Sequence, residues 1–242
     1  MTSSIKTLHF DQPDRLFESM AAELADIARL AVDRRGVFRL VLNGGSTPVG
    51  LFAILRSDPY RSEAFWKSTE FWWGDERCVP PDDPGSNYKL AAEQLLGSLE
   101  IEPAAVRRIR GELSPRAAAA DYAGVLAAAA EDGRTWPRFD LVLLGLGLDG
   151  HTASIFPGSP ETDPGVGAIA VTADYQDRPS ERVSLTPAAI NSARHIFWMV
   201  VGEEKAGIVD QVWNGPHDPE RIPAHRIRPE EGEMVWWVAL KK

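Results

Sequence analysis

The 242-residue chain has a single cysteine, Cys78. That excludes an intrachain disulfide and any cysteine-rich metal centre, and it suits a protein working in a reducing cytoplasm. No apolar stretch reaches the roughly 20 residues that cross a bilayer. The opening MTSSIKTLHFDQPDRLFESM lacks the basic start and continuous apolar core of a secretory signal, so an unexported protein is expected. Basic residues are in deficit: 26 Lys and Arg stand against 35 Asp and Glu, a formal net charge of -9. This balance disfavours general binding to nucleic acid or to an anionic membrane, and an anionic small molecule would need a locally basic pocket. Also missing are Gly-x-Ser-x-Gly, His-Glu-x-x-His and a glycine loop ending in Gly-Lys-Ser or Gly-Lys-Thr. Their absence argues against nucleophile-elbow serine hydrolases, zinc proteases and P-loop nucleotide sites. There is no internal repeat of fixed period.

The chain has the makings of a folded protein. Hydrophobic residues make up 44% and charged residues 25%, enough to bury a substantial core. Residues 1–242 are expected to form one large domain. Leu16, Met20, Leu24, Ile27 and Ala31 recur at helical spacing behind Pro13, which predicts an amphipathic helix ended by Gly36. The apolar run 37–42 predicts a buried strand stopping at Asn43-Gly44-Gly45, with a helix resuming at Thr47 or Pro48. A second unit reads as strand 70–73, a polar loop over 74–86, and a helix carrying Tyr88, Leu90, Ala91, Leu95 and Leu96. A third reads as an alanine-rich helix over 115–130, strand 139–144 and a glycine-rich loop over 145–150. Further strands are expected near 168–172, 183–185, 195–201 and 234–238, the last more simply core than interface, with a helix over 203–213. Such alternation favours an α/β fold with a largely parallel sheet and helices on both faces. Segments 79–85, 157–167 and 214–223, rich in proline and glycine, read as surface loops.

In open α/β sheets ligands bind beyond the carboxyl ends of the strands, so three loops that follow strands carry the search. If those strands are parallel, the three loops share one edge and their polar side chains converge. In the first, Gly44 and Gly45 let the backbone approach a ligand, while Ser46 and Thr47 bring hydroxyls to a helix N-terminus, a place that suits phosphate. The same residues equally describe a tight turn and a helix cap. In the second, Asp75, Glu76 and Arg77 put two carboxylates beside a guanidinium after Phe71-Trp72-Trp73, which fits an ion-paired turn as well as a site. Cys78 next to them reads as a small loop or core residue. The third spells Gly-x-Gly-x-x-Gly with Gly145, Gly147 and Gly150, but it lacks the long helix and downstream acid of a dinucleotide site. It delivers instead Asp149 and His151. An aspartate beside a histidine fixes the imidazole's tautomer and stabilises its cation, which makes His151 the candidate general base.

These loops, with Ser86-Asn87-Tyr88, the continuation Thr152-Ala153-Ser154-Ile155-Phe156-Pro157-Gly158 and Arg182-Val183-Ser184-Leu185-Thr186, resemble the 6-phosphogluconolactonase family of the glucosamine-6-phosphate isomerase superfamily. The resemblance covers nearly the whole chain. It implies a single Rossmann-like three-layer α/β domain of the NagB/RpiA/CoA-transferase type, with a mainly parallel sheet flanked by helices. It also implies a small-molecule phosphosugar lactone as substrate. Gly44, Gly45, Ser46, Thr47, Arg182 and Lys205 would hold its phosphate end, and Asp75 would line the same site. The related deaminases follow Asp-Gly-His with Asn-Glu-Pro, placing a glutamate where this chain has Phe156, which argues against ring-opening deamination.

The reaction implied is hydrolysis of 6-phospho-D-glucono-1,5-lactone to 6-phospho-D-gluconate in the oxidative pentose phosphate pathway. His151 would take the proton of the attacking water, Asp149 would orient the imidazole, and Arg77 or backbone N–H groups of the glycine loop would stabilise the oxyanion. Arg77 is favoured there, with the phosphate as its alternative partner. No metal or organic cofactor is required, and the expectation is a cytoplasmic monomer without nucleic-acid or membrane partners. The alternatives are a glucosamine-6-phosphate deaminase or sugar-phosphate isomerase in which Asp75 moves the proton, and a non-enzymatic sugar-phosphate sensor. The sequence leaves Lys6, Asn87 and Arg194 open between ligand contact and backbone binding.

Overall fold

A computed structural model describes residues 4–131, 133–163, 165–174, 178–229 and 231–241. In chain order the elements are β1 (Ser4–His9), α1 (Pro13–Arg35), β2 (Phe38–Leu42), α2 (Pro48–Leu55), β3 (Thr69–Trp73), β4 (Asp75–Arg77), α3 (Asn87–Gln94) and β5 (Val106–Arg107). There follow α4 (Pro115–Ala128), β6 (Leu141–Gly145), β7 (Ala168–Thr172), β8 (Glu181–Leu185), α5 (Pro187–Asn191), β9 (His195–Val201), α6 (Ala206–Asn214) and β10 (Glu233–Ala239).

Seven strands form one parallel sheet in the order β1-β10-β9-β6-β2-β3-β5. Its central strands are buried along nearly their whole length, as expected of a parallel sheet covered on both faces. The helix predicted behind Pro13 is α1: proline opens it, Arg34 and Arg35 occupy its last turn, and Gly36 closes it at φ 74 with its N–H on the carbonyl of Val32. Leu16, Met20, Leu24 and Ala31 on its inner face are fully buried. Trp236 and Trp237 of β10 are also core.

The structure corrects the sequence expectation in four places. The N-terminal strand β1 was not expected. It is an edge strand with all six residues exposed, so its sequence has no apolar alternation to signal it. Residues 75–77, expected in a polar loop, form β4. The chain leaves the main sheet at Gly74, and Asp75–Arg77 pairs antiparallel with β8. The strands near 168–172 and 183–185 do not join the parallel sheet, but build a separate antiparallel sheet of order β4-β8-β7. Finally, segment 214–223 is not wholly superficial, because Ile222 and Pro223 are buried.

Lys6 and Arg194 lie at the amino edge of the sheet. Lys6 pairs with Glu233, and Arg194 lies 3.2 Å from buried Asp140. Asp140 also binds Arg35 at 2.6 Å and the N–H of Arg39 at 2.8 Å, so it ties α1 to β2 and β6. At the opposite edge the last residue of β3 is held by Tyr122 of α4, whose hydroxyl accepts from Trp73 N–H and donates to Trp73 C=O, both at 3.0 Å. Burial pushes the Tyr122 phenol above its ordinary pKa, so it stays a donor. Tyr122→Phe leaves both backbone groups buried without this partner, and a stability loss of about 1–3 kcal/mol is expected as a lower urea midpoint at unchanged slope. A variant as stable as the parent would show that this clamp contributes nothing.

Candidate active site

The strands β6, β2 and β3 are adjacent and parallel, and each is followed or ended by glycine: Gly145, Gly44 after Asn43, and Gly74. Their loops therefore emerge on one edge, as the sequence argument required. They surround a cavity of about 340 Å³ lined by Asn43 through Thr47, by Asp75, Arg77 and Asn87, and by Gly145 through Gly147 with His151. Arg178 before β8, Arg182 within β8, and Glu204 and Lys205 after β9 close it. A hollow of about 380 Å³ lies beside the amino ends of β2 and β3, between Arg39, Glu70, Arg107 and Glu131. Its charges are committed to one another, in the pairs Arg39–Glu70, Arg39–Glu131 and Arg107–Glu70. The chemistry is therefore sought at the carboxyl edge.

The glycine-rich loop builds the His151–Asp149 pair. Gly147 N–H donates to His151 C=O at 2.8 Å and Gly150 N–H to Gly147 C=O at 3.1 Å, closing a tight turn with Gly150 at φ 83. The turn sets Asp149 Oδ1 against His151 Nδ1 at 2.5 Å, and the same oxygen accepts the His151 N–H at 3.1 Å. Burial opposes ionisation of Asp149, but the hydrogen bond and charge of His151 hold its pKa below the ordinary aspartate value. An ionised carboxylate on Nδ1 fixes the proton there and assigns proton exchange to Nε2. A Cβ on residue 147 would lie 2.0 Å from His151 Nδ1 and 2.6 Å from Asp149 Oδ1, so only glycine leaves room for the pair.

Beyond His151 the chain bends at Ala153, which adopts φ 49, a left-handed conformation that non-glycine residues rarely take. The bend brings buried Ser154 Oγ to Asp75 Oδ2 at 2.6 Å, joining the histidine loop to β4. Asp75 Oδ1 accepts from Asn87 Nδ2 at 3.2 Å, and Arg182 Nη1 lies 3.9 Å from Oδ2. Arg182 is almost wholly buried. Its Nε donates to Pro179 C=O at 3.2 Å, and its guanidinium stands 5.7 Å from the ring centre of Phe156. The Phe156 ring also packs 4.9 Å from the His151 ring, so an apolar group occupies that flank of the imidazole.

The charge triplet separates into three tasks. Asp75 faces the cavity. Glu76 accepts from Ser86 Oγ and from the N–H groups of Arg77, Asn87 and Tyr88, at 2.7 to 2.9 Å, and so caps α3. Burial raises its pKa, and these four donors pull it back. Arg77 donates from Nη1 to Gly85 C=O, and its buried Nε has no hydrogen-bond partner among the described residues. In the first loop Thr47 stands at the N-cap of α2 without a side-chain cap, and Gly45 adopts φ 88. Lys205 Nζ donates to Leu146 C=O at 2.7 Å, which keeps the ammonium on the cavity wall with donors to spare. Burial lowers its pKa, against Glu204 and Asp149, which raise it.

Of the catalytic and substrate-binding residues assigned from the sequence, all line this cavity except Asp149, which stands behind His151. Of the three left open, Asn87 lines it, whereas Lys6 and Arg194 are ion-paired elsewhere. Sequence reasoning did not assign Asn43, Ala153, Ser154, Arg178 or Glu204. Among the described residues no group of three or more His, Cys, Asp or Glu is assembled as a metal centre, and no helix is long and apolar enough to cross a membrane.

A parallel sheet with a cationic pocket and a histidine–aspartate pair on its strand-end glycine loops defines an α/β protein suited to a small anionic ligand. Residues 11–236 match the sequence model for glucosamine-6-phosphate isomerases/6-phosphogluconolactonase, and the chain belongs to that family. It is 40% identical to the 6-phosphogluconolactonase of Treponema pallidum over 92% of this chain and 91% of that protein. The crystal structure of the devB protein superposes with a TM-score of 0.87 at 35% identity, covering 97% of this chain and 96% of that one. The 6-phosphogluconolactonase of Trypanosoma cruzi superposes at 0.84 with 27% identity, covering 99% and 96%.

Gly147→Ala is expected to remain folded and to lose the His151–Asp149 hydrogen bond. Proton NMR tests this directly: the downfield Nδ1 proton of the parent disappears in the variant, whereas an unchanged resonance would contradict the steric argument.

Proposed function

We propose that the chain is an enzyme hydrolysing 6-phospho-D-glucono-1,5-lactone to 6-phospho-D-gluconate. The observation that carries this reading is the 2.5 Å His151–Asp149 pair on the wall of a cavity also lined by Arg77, Arg178, Arg182 and Lys205. The Treponema pallidum and Trypanosoma cruzi proteins named 6-phosphogluconolactonase match this chain over more than nine-tenths of both lengths, and the latter shares its fold. A lactone is already an activated ester, so catalysis needs a base for water and a donor for the oxyanion.

In the proposed step, His151 Nε2 takes a proton from water as its oxygen bonds to the lactone carbonyl carbon. Asp149 holds the imidazolium that results, and such a base contributes about 10²–10⁴-fold. Negative charge passes to the carbonyl oxygen, where the Arg77 guanidinium is the favoured donor. Removing one donor of this kind costs about 10²–10³-fold. As the carbonyl re-forms, the ring oxygen leaves and takes the proton back from His151, so the base is regenerated; the new carboxylic acid then ionises and releases one proton to solvent. Phosphate binding falls to Gly44, Gly45, Ser46 and Thr47 together with Arg182 and Lys205, and Asp75 accepts from a substrate hydroxyl. The phosphate is remote from the reacting carbon, so its binding energy positions the lactone and selects against unphosphorylated analogues. Every group invoked belongs to one chain folded as one domain, so a monomer suffices.

The test is proton release from freshly generated 6-phospho-D-glucono-1,5-lactone, corrected for spontaneous hydrolysis. A rate no faster than background, beside an active reference enzyme, would overturn the reading. Arg182→Ala and Lys205→Ala are each expected to lower kcat/KM for the phosphorylated lactone far more than for glucono-1,5-lactone. If both keep the wild-type preference, the phosphate site is elsewhere. Arg77→Ala separates its two roles: a fall in kcat marks the oxyanion, and a rise in KM alone marks the phosphate.

A further inference from the structure

Asn87, the first residue of α3, is 1% exposed yet forms part of the cavity wall. Its Nδ2 donates to Asp75 C=O at 2.9 Å and to Asp75 Oδ1 at 3.2 Å. Both partners accept only, so the amide orientation is fixed and Oδ1 must point the other way. There it fills the space a side chain on residue 44 would need, 1.8 Å from the position of a Gly44 Cβ, and it has no hydrogen-bond donor among the described residues. The residue itself cannot shift easily, because its N–H is anchored on Glu76 Oε1 at 2.7 Å together with Tyr88 N–H and Ser86 Oγ on the same carboxylate. Asp75 is held from its other side by Ser154 of the histidine loop.

We infer that Asn87 is a positioning residue for substrate binding: its carboxamide locks Asp75 and seats the Gly44 turn, joining two walls of the cavity through one side chain. This rests on the functional reading above and assigns that site a component beyond the groups that touch substrate. A carboxamide answers both demands at once. The amino group satisfies Asp75, and the small acceptor oxygen lies against a residue without a side chain. A carboxylate in its place would face the Asp75 carboxylate at hydrogen-bond distance, where the like charges disfavour ionising both. They would share a proton at low pH and repel at high pH.

The experiment is steady-state kinetics of Asn87→Asp and wild type from about pH 5.5 to 8, with every KM expressed as variant over wild type. The ratio cancels the titrations that both proteins share, that of the substrate phosphate among them. At the upper end the ratio is expected to reach about tenfold or more, the scale of one hydrogen bond to a charged group. It should fall toward unity as pH drops and the proton restores a donor to Asp75, and the loss should lie in KM rather than kcat. Asn87→Ala, which carries no titrating group, should show a raised ratio that does not recover. A wild-type KM at every pH, or a fall confined to kcat, would overturn the inference. If circular dichroism shows Asn87→Asp unfolded, Asn87→Ser keeps a donor and should give an intermediate KM, with a wild-type value again contradicting the role. Calorimetric titration with 6-phosphogluconate gives the same pH-dependent ratio as Kd without turnover. A wild type that binds this product but does not hydrolyse the lactone defeats the functional reading, and the Kd ratio still decides the role of Asn87.

Discussion

The chemistry at this sheet edge depends on two places where a side chain cannot be. At Gly147 a Cβ would collide with the imidazole and carboxylate whose 2.5 Å contact sets the proton on Nδ1. At Gly44 it would collide with the Asn87 carboxamide. Both glycines belong to turns that end parallel strands, where the backbone has left the sheet's hydrogen bonding and can pass close to another side chain. The His151–Asp149 pair, the buried acceptor Asp75 and the Gly44–Thr47 loop can therefore pack around one small cavity, because backbone rather than side-chain volume separates them.

Around that constraint the protein concentrates charge against its own average. A chain of net charge -9 brings Arg77, Arg178, Arg182 and Lys205 to one cavity. Three of the nearby carboxylates are tied to a neighbour that limits their reach: Asp149 to His151, Glu76 to the start of α3, and Asp75 to Asn87 and Ser154. The result is a locally cationic pocket with acceptors at fixed positions, which suits a ligand with an anionic end and hydroxyls elsewhere. Phe156 contributes an apolar wall between the imidazole and Arg182.

Much of this was legible in the sequence because the strands carrying the site are short apolar runs stopped by glycine. In β2, β3 and β6 that pattern marks both the buried element and the point where the chain turns toward the ligand edge. What was not legible depended on partners distant in sequence. Strand β1 is exposed on both faces and shows no period. Strand β4 reads Asp-Glu-Arg, a poor strand sequence, and exists because β8 supplies the ladder. The contributions of Arg178 and Glu204 come from segments outside the three strand-end loops. Asn87 could be named but not assigned, since its meaning lies in what its two amide atoms face. Lys6 and Arg194, open on the same footing, are ion-paired at the far edge of the sheet.

The central claim is that His151, held by Asp149, activates the water that opens the lactone. The most direct measurement is the single-turnover rate of proton release from freshly generated 6-phospho-D-glucono-1,5-lactone with His151→Ala and wild type, both shown to be folded and to bind 6-phosphogluconate equally. The chemical step is expected to fall by about 10²–10⁴-fold in the variant. A variant rate within about twofold of wild type, less than any general base contributes, would contradict it.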